Sequence, residues 1–589
     1  MSPLRCAAAA TIDGMSEPPV ATRAGEGPGP AGQVPPARPG APPAGPPPAR
    51  ALAGAWGAGI VATLRRHWLV SALLAAGLVL RVLAWVAYQP ALIYVDTLKY
   101  LYGASPGSDP LGYRLLLKVI LAVGDLSTVA AIQHLLGLAM AVVLYRLLLR
   151  RGVRIWLAAL AVAPVLLDAY QLQMEQMIMP DVWFEALIVA GLAVLLWRPE
   201  VSVPRAAAAG LVLGSSATVK ALGEFLILPA LAYVLAVGGF RRALRPAAAL
   251  IAAFALLILG YCGISYARTG HFWLARQQTL TGRLVAAADC ATLRLPANVR
   301  PLCPTPAEQQ ALGPDALEHA FGRSPLYDTP VTPGTRGALI AELKSAIAHQ
   351  QPLRVVVSIL SDSLRVFAPT RQPSGWVTPI SRWQFQDGYP TYPPWTSICP
   401  AGGLSAQACL TVQHDIQKAT APASDLLVQP GGTLVVGVQR ALGGMFRPAT
   451  LSPAYGGPAR VTRPVAAFLR SYQLGGGYTP GPLLALAALA GLAGSVVALS
   501  RRGRSGRGGP LAVACLLFTV TAAVVLLAPD VYEFSWRYEL PAVITLVPAG
   551  VLGLSALFPG RRGQLADTGE HVPGGPGAGP HPGDDPADE

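Results

Sequence analysis

Residues 67–100 read HWLVSALLAAGLVLRVLAWVAYQPALIYVDTLKY. The stretch 67–87 is almost wholly apolar and long enough to cross a hydrocarbon core of about 30 Å. The chain then turns aromatic and charged, in Tyr94-Val95-Asp96-Thr97-Leu98-Lys99-Tyr100. Apolar residues at helical spacing suit this piece to the membrane interface, and Lys99 follows Asp96 by three residues, on the same helix face. A span leading into an interfacial loop that carries a carboxylate sets the class. Working outward, nine more windows are apolar enough to span: 126–149, 154–171, 182–197, 206–222, 225–240, 246–267, 482–500, 510–528 and 538–558. Lys220 and Glu224 interrupt the pair at 206–240. The expectation is an all-α polytopic membrane protein of about ten transmembrane helices.

Composition agrees. Of 589 residues, 52% are hydrophobic and only 13% are charged, where soluble domains carry about 25%. Mean hydropathy is +0.45. The net charge of +14 would suggest nucleic acid in a soluble protein. Here the basic excess lies in short loops between spans, so no nucleic-acid partner is expected. Arg65, Arg66, Arg150, Arg151, Arg154, Arg198, Arg205, Arg241, Arg242, Arg245, Arg501, Arg502, Arg504, Arg507, Arg561 and Arg562 fall on alternate loops. The opposite short loops hold only Lys99, Lys220 and Arg537, with Arg114 and Lys118. The positive-inside rule then puts both termini in the cytoplasm of a multi-pass plasma-membrane protein. Richness in Ala, Gly, Pro and Arg points to a GC-rich, bacterial source.

Five regions follow. Residues 1–60 are a Pro/Gly-rich tail, with 13 Pro and 7 Gly in the first 50, a composition that favours disorder. Residues 61–267 form an N-terminal transmembrane module whose outer loops carry the candidate chemistry. Residues 268–481 are a large extracytoplasmic segment, 482–558 the C-terminal transmembrane helices, and 559–589 an acidic disordered tail. Four of seven cysteines lie in the extracytoplasmic segment. In an oxidising compartment their nearness favours Cys290–Cys303 and Cys399–Cys409 as disulfides. The Pro/Gly content of this segment predicts stapled loops rather than a large core, with an interfacial amphipathic helix near 353–367. Trp376, Trp383 and Trp395 lie in an aromatic run, either a sugar-stacking platform or an interfacial belt.

Ionisable groups at membrane depth are expensive, and each is a functional hypothesis. Asp96, Lys99 and Arg114 follow the first span. Glu175 and Asp181 flank the loop ending in Met179-Pro180-Asp181. Lys220 and Glu224 interrupt a pair of spans, and Asp530-Val-Tyr-Glu-Phe-Ser-Trp-Arg537 precedes the last. Carboxylates can deprotonate a nucleophile or hold a cation. Lys and Arg can neutralise a phosphate. Arg81, inside the first span, is expected to have a structural partner within the bundle. No nucleotide-binding loop or Cys/His metal spacing is present, which favours a lipid-linked donor over a nucleotide sugar.

In order, these features resemble the GT-C superfamily of membrane glycosyltransferases, more narrowly the protein O-mannosyltransferase and lipid A aminoarabinose transferase group. The resemblance rests on the Asp96 loop, Met174-Glu175 through Pro180-Asp181, Val219-Lys220-Ala221-Leu222-Gly223-Glu224, and Arg537-Tyr538-Glu539-Leu540-Pro541. It implies inverting transfer of a hexose or pentose from a polyprenyl-phosphate carrier to an envelope protein, lipid or polysaccharide. Asp96 would be the catalytic base, and Lys99, Arg114, Lys220 and Arg537 would bind the donor phosphate. Glu175 and Asp181 would serve the acceptor or a cation such as Mg or Mn. Thr97 stands where family members often carry a second acid. The competing readings are a transporter or flippase for a lipid-linked sugar, which would favour paired repeats and broken helices, and a non-catalytic envelope assembly protein.

Overall fold

A computed structural model describes residues 62–102, 109–275, 280–319, 324–331, 335–371, 380–389, 455–500 and 509–558. Trp376, Trp395, Cys399, Cys409 and both tails lie outside the described residues. The chain divides after Thr63, and the unit Leu64–Glu589 contains everything below.

This unit is mostly helical. All ten predicted windows fall on helix, but the count of ten spans is not reached by length. Among the described residues, six helices are long and apolar enough to cross a membrane: Trp68–Ala87, Leu126–Arg150, the run Ala221–Ala267, Gly481–Leu499, Gly509–Asp530 and Leu540–Leu557. A seventh is a pair bent by 49°, Ile155–Leu167 with Ala169–Gln176. Asp168 makes the bend by capping the second helix, its Oδ1 accepting from Tyr170 N at 2.9 Å. Helices Asp181–Leu196 and Val203–Val219, at 16 and 17 residues, fall short of the ~20 that a straight crossing needs. Ile227–Thr269 is the opposite case. Its 43 residues would reach about 65 Å if straight, twice the hydrocarbon thickness. It breaks at Gly239, where φ is +64°, a backbone region that glycine enters at little cost.

The bundle centres on the C-terminal helices. Leu540–Leu557 is the most enclosed of the long helices, while Trp68–Ala87 and Gly481–Leu499 leave most of their surface open. Small residues permit the closest approach. A Cβ at Gly553 would run into the Ala490 carbonyl, and one at Gly550 into Ala487. Without water in the bilayer, such close packing supplies much of the association between helices. A two-stranded antiparallel pairing, Tyr88–Gln89 with Arg460–Val461, ties the exit of the first helix to the chain before Arg463–Leu474.

Residues 280–350, in the segment expected to be stapled loops rather than a large core, carry a small core of their own. Val285, Leu293, Val299, Leu302, Leu317, Leu326, Leu343 and Ile347 form a second buried cluster. Its helices run from 4 to 15 residues, too short for their apolar positions to show a clear period in the sequence. Cys290 and Cys303 are bonded beside it, with a Cα–Cα distance of 5.8 Å. Cys262 and Cys515 are buried and unbonded. Helix Pro352–Ser363 follows, with Leu353, Val356, Val357 and Leu360 exposed along one stripe.

Candidate active site

Four separate pieces of chain bring charge to one place. Asp96 stands in the first turn of the short helix Val95–Tyr102, and Asp181 begins Asp181–Leu196. Lys220 ends Val203–Val219, and Arg537 lies in the loop between the last two spans. Arg537 Nη1 donates to Asp96 Oδ2 at 3.0 Å. Its Nε lies 3.2 Å from both oxygens of Asp181. Lys220 Nζ donates to Asp181 Oδ1 at 2.8 Å. The cluster therefore reads Asp96, Arg537, Asp181, Lys220.

Burial divides the roles. Asp181 is fully buried, whereas the Asp96 side chain keeps 23% of its surface exposed. Arg537 and Lys220 both pair with it. Asp181 is thus a fixed anion that anchors two cations. Asp96 is the carboxylate of the set that a hydroxyl can reach.

Aromatic rings wall the cluster. The Tyr538 ring lies 4.7 Å from Lys220 Nζ and 5.1 Å from the Arg537 guanidinium. Trp383 is buried, 5.6 Å from the Arg537 guanidinium and 4.9 Å from the Tyr94 ring. Arg382 donates to Tyr94 Oη at 3.3 Å. The short 3-10 turn Ile380–Trp383 thus packs against the cluster through Trp383 and Arg382. In this conformation Trp383 is a wall for Arg537 and Tyr94 rather than an open stacking surface. Thr97, in the place of a second acid, is buried and donates to Ile178 O at 2.9 Å, pinning the Asp96 helix to the loop before Asp181.

Other sequence candidates sit elsewhere. Glu175 is fully buried, with Oε1 at 2.8 Å from Arg81 and Oε2 at 3.0 Å from His134 Nδ1. Arg81 also donates to Val165 O and Leu166 O. The expected partner of Arg81 is therefore Glu175, and the pair locks the first span to the bent one; the structure does not bring Glu175 to the Asp96 cluster. Arg114 stands on Gly112–Leu121, its Nε buried without a hydrogen-bond partner. Lys99 shares the Asp96 helix, but its side chain lies outside those described. Among the described residues, no three His, Cys, Asp or Glu stand close enough to hold a metal ion. The aromatic walls Tyr94 and Tyr538 stand inside the quoted motifs, within two residues of the candidate charges, but nothing in the sequence assigned them a place in the site.

No family model matches the chain, and no curated protein matches it. Among solved structures, several are similar to it at low scores. One is the protein O-mannosyltransferase Pmt1-Pmt2 complex of S. cerevisiae bound to the sugar donor, at 17% identity over 35% of this chain and 34% of that one, with a TM-score of 0.28. Another is the archaeal oligosaccharyltransferase AglB from Archaeoglobus fulgidus, in complex with an inhibitory peptide and a dolichol-phosphate. There the identity is 14% over 84% of this chain and 51% of that one, with a TM-score of 0.34. A third is ArnT from Cupriavidus metallidurans bound to undecaprenyl phosphate, at 13% over 83% and 77%, with a TM-score of 0.27. The chain thus spans about a third of the first and half of the second. At such low scores the roles of individual residues rest on this chain's own geometry.

Proposed function

We propose that this protein is an inverting glycosyltransferase that moves a sugar from a polyprenyl-phosphate carrier to an envelope acceptor at the extracytoplasmic face of the plasma membrane. The observation that carries the reading is the meeting of Asp96, Asp181, Lys220 and Arg537, four residues from four distant pieces of chain. In this reading both termini are cytoplasmic and 268–481 is extracytoplasmic. The source is bacterial, and the short helices Asp181–Leu196 and Val203–Val219 and the two halves of Ile227–Thr269 each cross the membrane.

The chemistry follows from the charges. A sugar on a polyprenyl phosphate already carries its leaving group. The acceptor hydroxyl gives its proton to an Asp96 carboxylate oxygen as its own oxygen bonds to the anomeric carbon. The bond from that carbon to the phosphate oxygen breaks, and the phosphate leaves with the electron pair. Arg537 and Lys220 neutralise it, with Arg114 and Lys99 on the neighbouring short helices as further phosphate contacts. Asp181 does no chemistry: it keeps both cations in place before the donor arrives, so that no reorganisation is needed when charge develops. A phosphate that draws Arg537 towards itself also weakens the Arg537–Asp96 pair and makes Asp96 a stronger base.

The test is a transfer assay with the purified protein in lipid, a panel of radiolabelled polyprenyl-phosphate sugars and crude envelope acceptors. Wild type should move label to an acceptor, and Asp96→Asn should lose about 10²–10⁴ of the rate. Full transfer by Asp96→Asn would remove Asp96 as base. Absence of transfer by folded wild type with every donor would remove the transferase reading itself.

A further inference from the structure

At the other end of the helices that carry Asp181 and Lys220 lies a cavity of roughly 280 Å³, lined by Ala193, Val194, Trp197 and Arg205. It sits between the end of Asp181–Leu196 and the start of Val203–Val219, about 24 Å from Asp181 at 1.5 Å per residue. Trp197 stays 40% exposed even with the Arg150 guanidinium 4.2 Å from its ring. Arg151 Nε donates to Leu196 O at 3.0 Å and its Nη2 to Arg198 O at 2.9 Å. Arg205 Nη1 donates to Glu200 O. Arg151 and Arg205 both lie within electrostatic reach of Tyr233.

Arginines in loops at this end are expected as a signal of sidedness, but that role needs no cavity. The charge here is also uncompensated. Against Arg150, Arg151, Arg154, Arg198 and Arg205, the segments 150–156 and 195–206 hold one acid, Glu200, and the neighbouring Ile227–Thr269 holds none. Among the described residues no ion pair neutralises these arginines, and the hydrogen bonds of Arg151 and Arg205 go to neutral oxygens. A cation would be repelled. A small inorganic anion would use the guanidiniums and leave the apolar wall of Ala193, Val194 and Trp197 idle. A phosphate joined to a hydrocarbon chain uses both. The volume is at the low end for a ligand pocket, room for a headgroup and the first carbons below it. Helix length brings that headgroup within reach. Sixteen and 17 residues span about 24–26 Å, less than the ~30 Å hydrocarbon core, and a short span draws the lipid surface in towards its ends.

We infer that this cavity seats the headgroup of an anionic phospholipid, its phosphate against Arg205 and Arg150 and its upper acyl chain along Ala193, Val194 and Trp197. A zwitterionic lipid is disfavoured because its own ammonium would meet the arginines. The site goes beyond the transferase reading. It uses none of the charges of Asp96, Asp181, Lys220 and Arg537, and it rests only on the two short helices crossing the bilayer. A lipid bound there ties together the near ends of the two helices whose far ends present Asp181 and Lys220.

The experiment is native mass spectrometry of the full chain in detergent, titrated with phosphatidylglycerol or with phosphatidylcholine of the same acyl chains. Phosphatidylglycerol should bind saturably and more tightly than phosphatidylcholine. Arg150→Gln/Arg205→Gln should erode that preference, by about fivefold for each arginine lost. Should the double variant misfold, Arg150→Gln alone, at an exposed position, reads the effect in the same direction. Arg241→Gln/Arg242→Gln removes two exposed arginines of the neighbouring helix that do not line the cavity, and should leave the preference intact. Equal binding of the two lipids by folded wild type would overturn the site. So would an equal loss in the Arg241/Arg242 variant, which would reduce the effect to diffuse surface charge. Displacement of phosphatidylglycerol by inorganic phosphate would show a simple anion site. Displacement by farnesyl phosphate, with the same dependence on Arg150 and Arg205, would make it a site for the carrier; either result overturns the phospholipid assignment. Asp96→Asn should bind phosphatidylglycerol as wild type does. Failure here therefore leaves the transfer assay standing, and failed transfer leaves this site standing.

Discussion

Replacing Asp181 with Asn removes the one anion shared by Lys220 and Arg537. The two cations would then lie 4.7 and 5.1 Å from the same Tyr538 ring with no carboxylate between them. Removing one partner of a buried ion pair commonly costs about 3–5 kcal/mol, because the other charge stays buried, and a loss of that size is expected. The assay is thermal unfolding of wild type and Asp181→Asn in nanodiscs at matched scan rate, with Asp181→Asn/Lys220→Met beside them. Deleting Lys220 as well removes the repulsion, so the double variant should recover much of the loss. A single variant as stable as wild type, or a double variant worse than the single, would refute the anchoring role of Asp181.

Other consequences concern the scaffold. Arg81→Met should destabilise by about 3–5 kcal/mol by leaving Glu175 buried without its guanidinium, and Arg81→Met/Glu175→Gln should be milder in the same unfolding assay. Reducing or deleting the Cys290–Cys303 bridge should cost about 2–4 kcal/mol. Hydrogen exchange should report that loss as faster exchange across 285–347, leaving the spans unchanged. Gly553→Val drives a side chain into the Ala490 carbonyl, a backbone atom that cannot rotate away. It should cost about 1–3 kcal/mol or more, read as a lower unfolding temperature, and Gly553→Ala should show a smaller drop.

The sequence made individual charges legible because charge is rare in apolar helices. Asp96, Asp181, Lys220 and Arg537 each stood out alone, and the structure brings them together. Their pairing was not legible, since Asp96 and Arg537 are 441 residues apart and nothing local relates them. The same blindness explains Glu175. Its acidity was visible, but its partners, Arg81 and His134, lie 94 and 41 residues away and turn a candidate site residue into a lock between spans. Helix lengths were not legible for a different reason. A hydropathy window sees composition, not where a helix stops, so it passed over the 16- and 17-residue lengths of two helices and the bend at Asp168. The small core at 280–350 escaped because helices of one to four turns give too few apolar positions to show a period.

The loop 530–539 carries an argument about how the molecule works. Arg537 turns to Asp96 and Asp181, which come from the N-terminal helices. Asp530 and Glu539, at the ends of the same loop, belong with Asp362, Arg283 and Arg371, which come from the segment before the C-terminal spans. The loop is therefore held from both sides, through Arg537 to Asp96 and Asp181 and through Asp530 to Ser363. In the proposed displacement Arg537 must meet the leaving phosphate in a fixed place, so a loop released from Ser363 would misplace it. Ser363→Ala, a residue outside the Asp96 cluster, should therefore weaken phosphate binding and transfer together. Phosphate binding and transfer unchanged in folded Ser363→Ala would break this link.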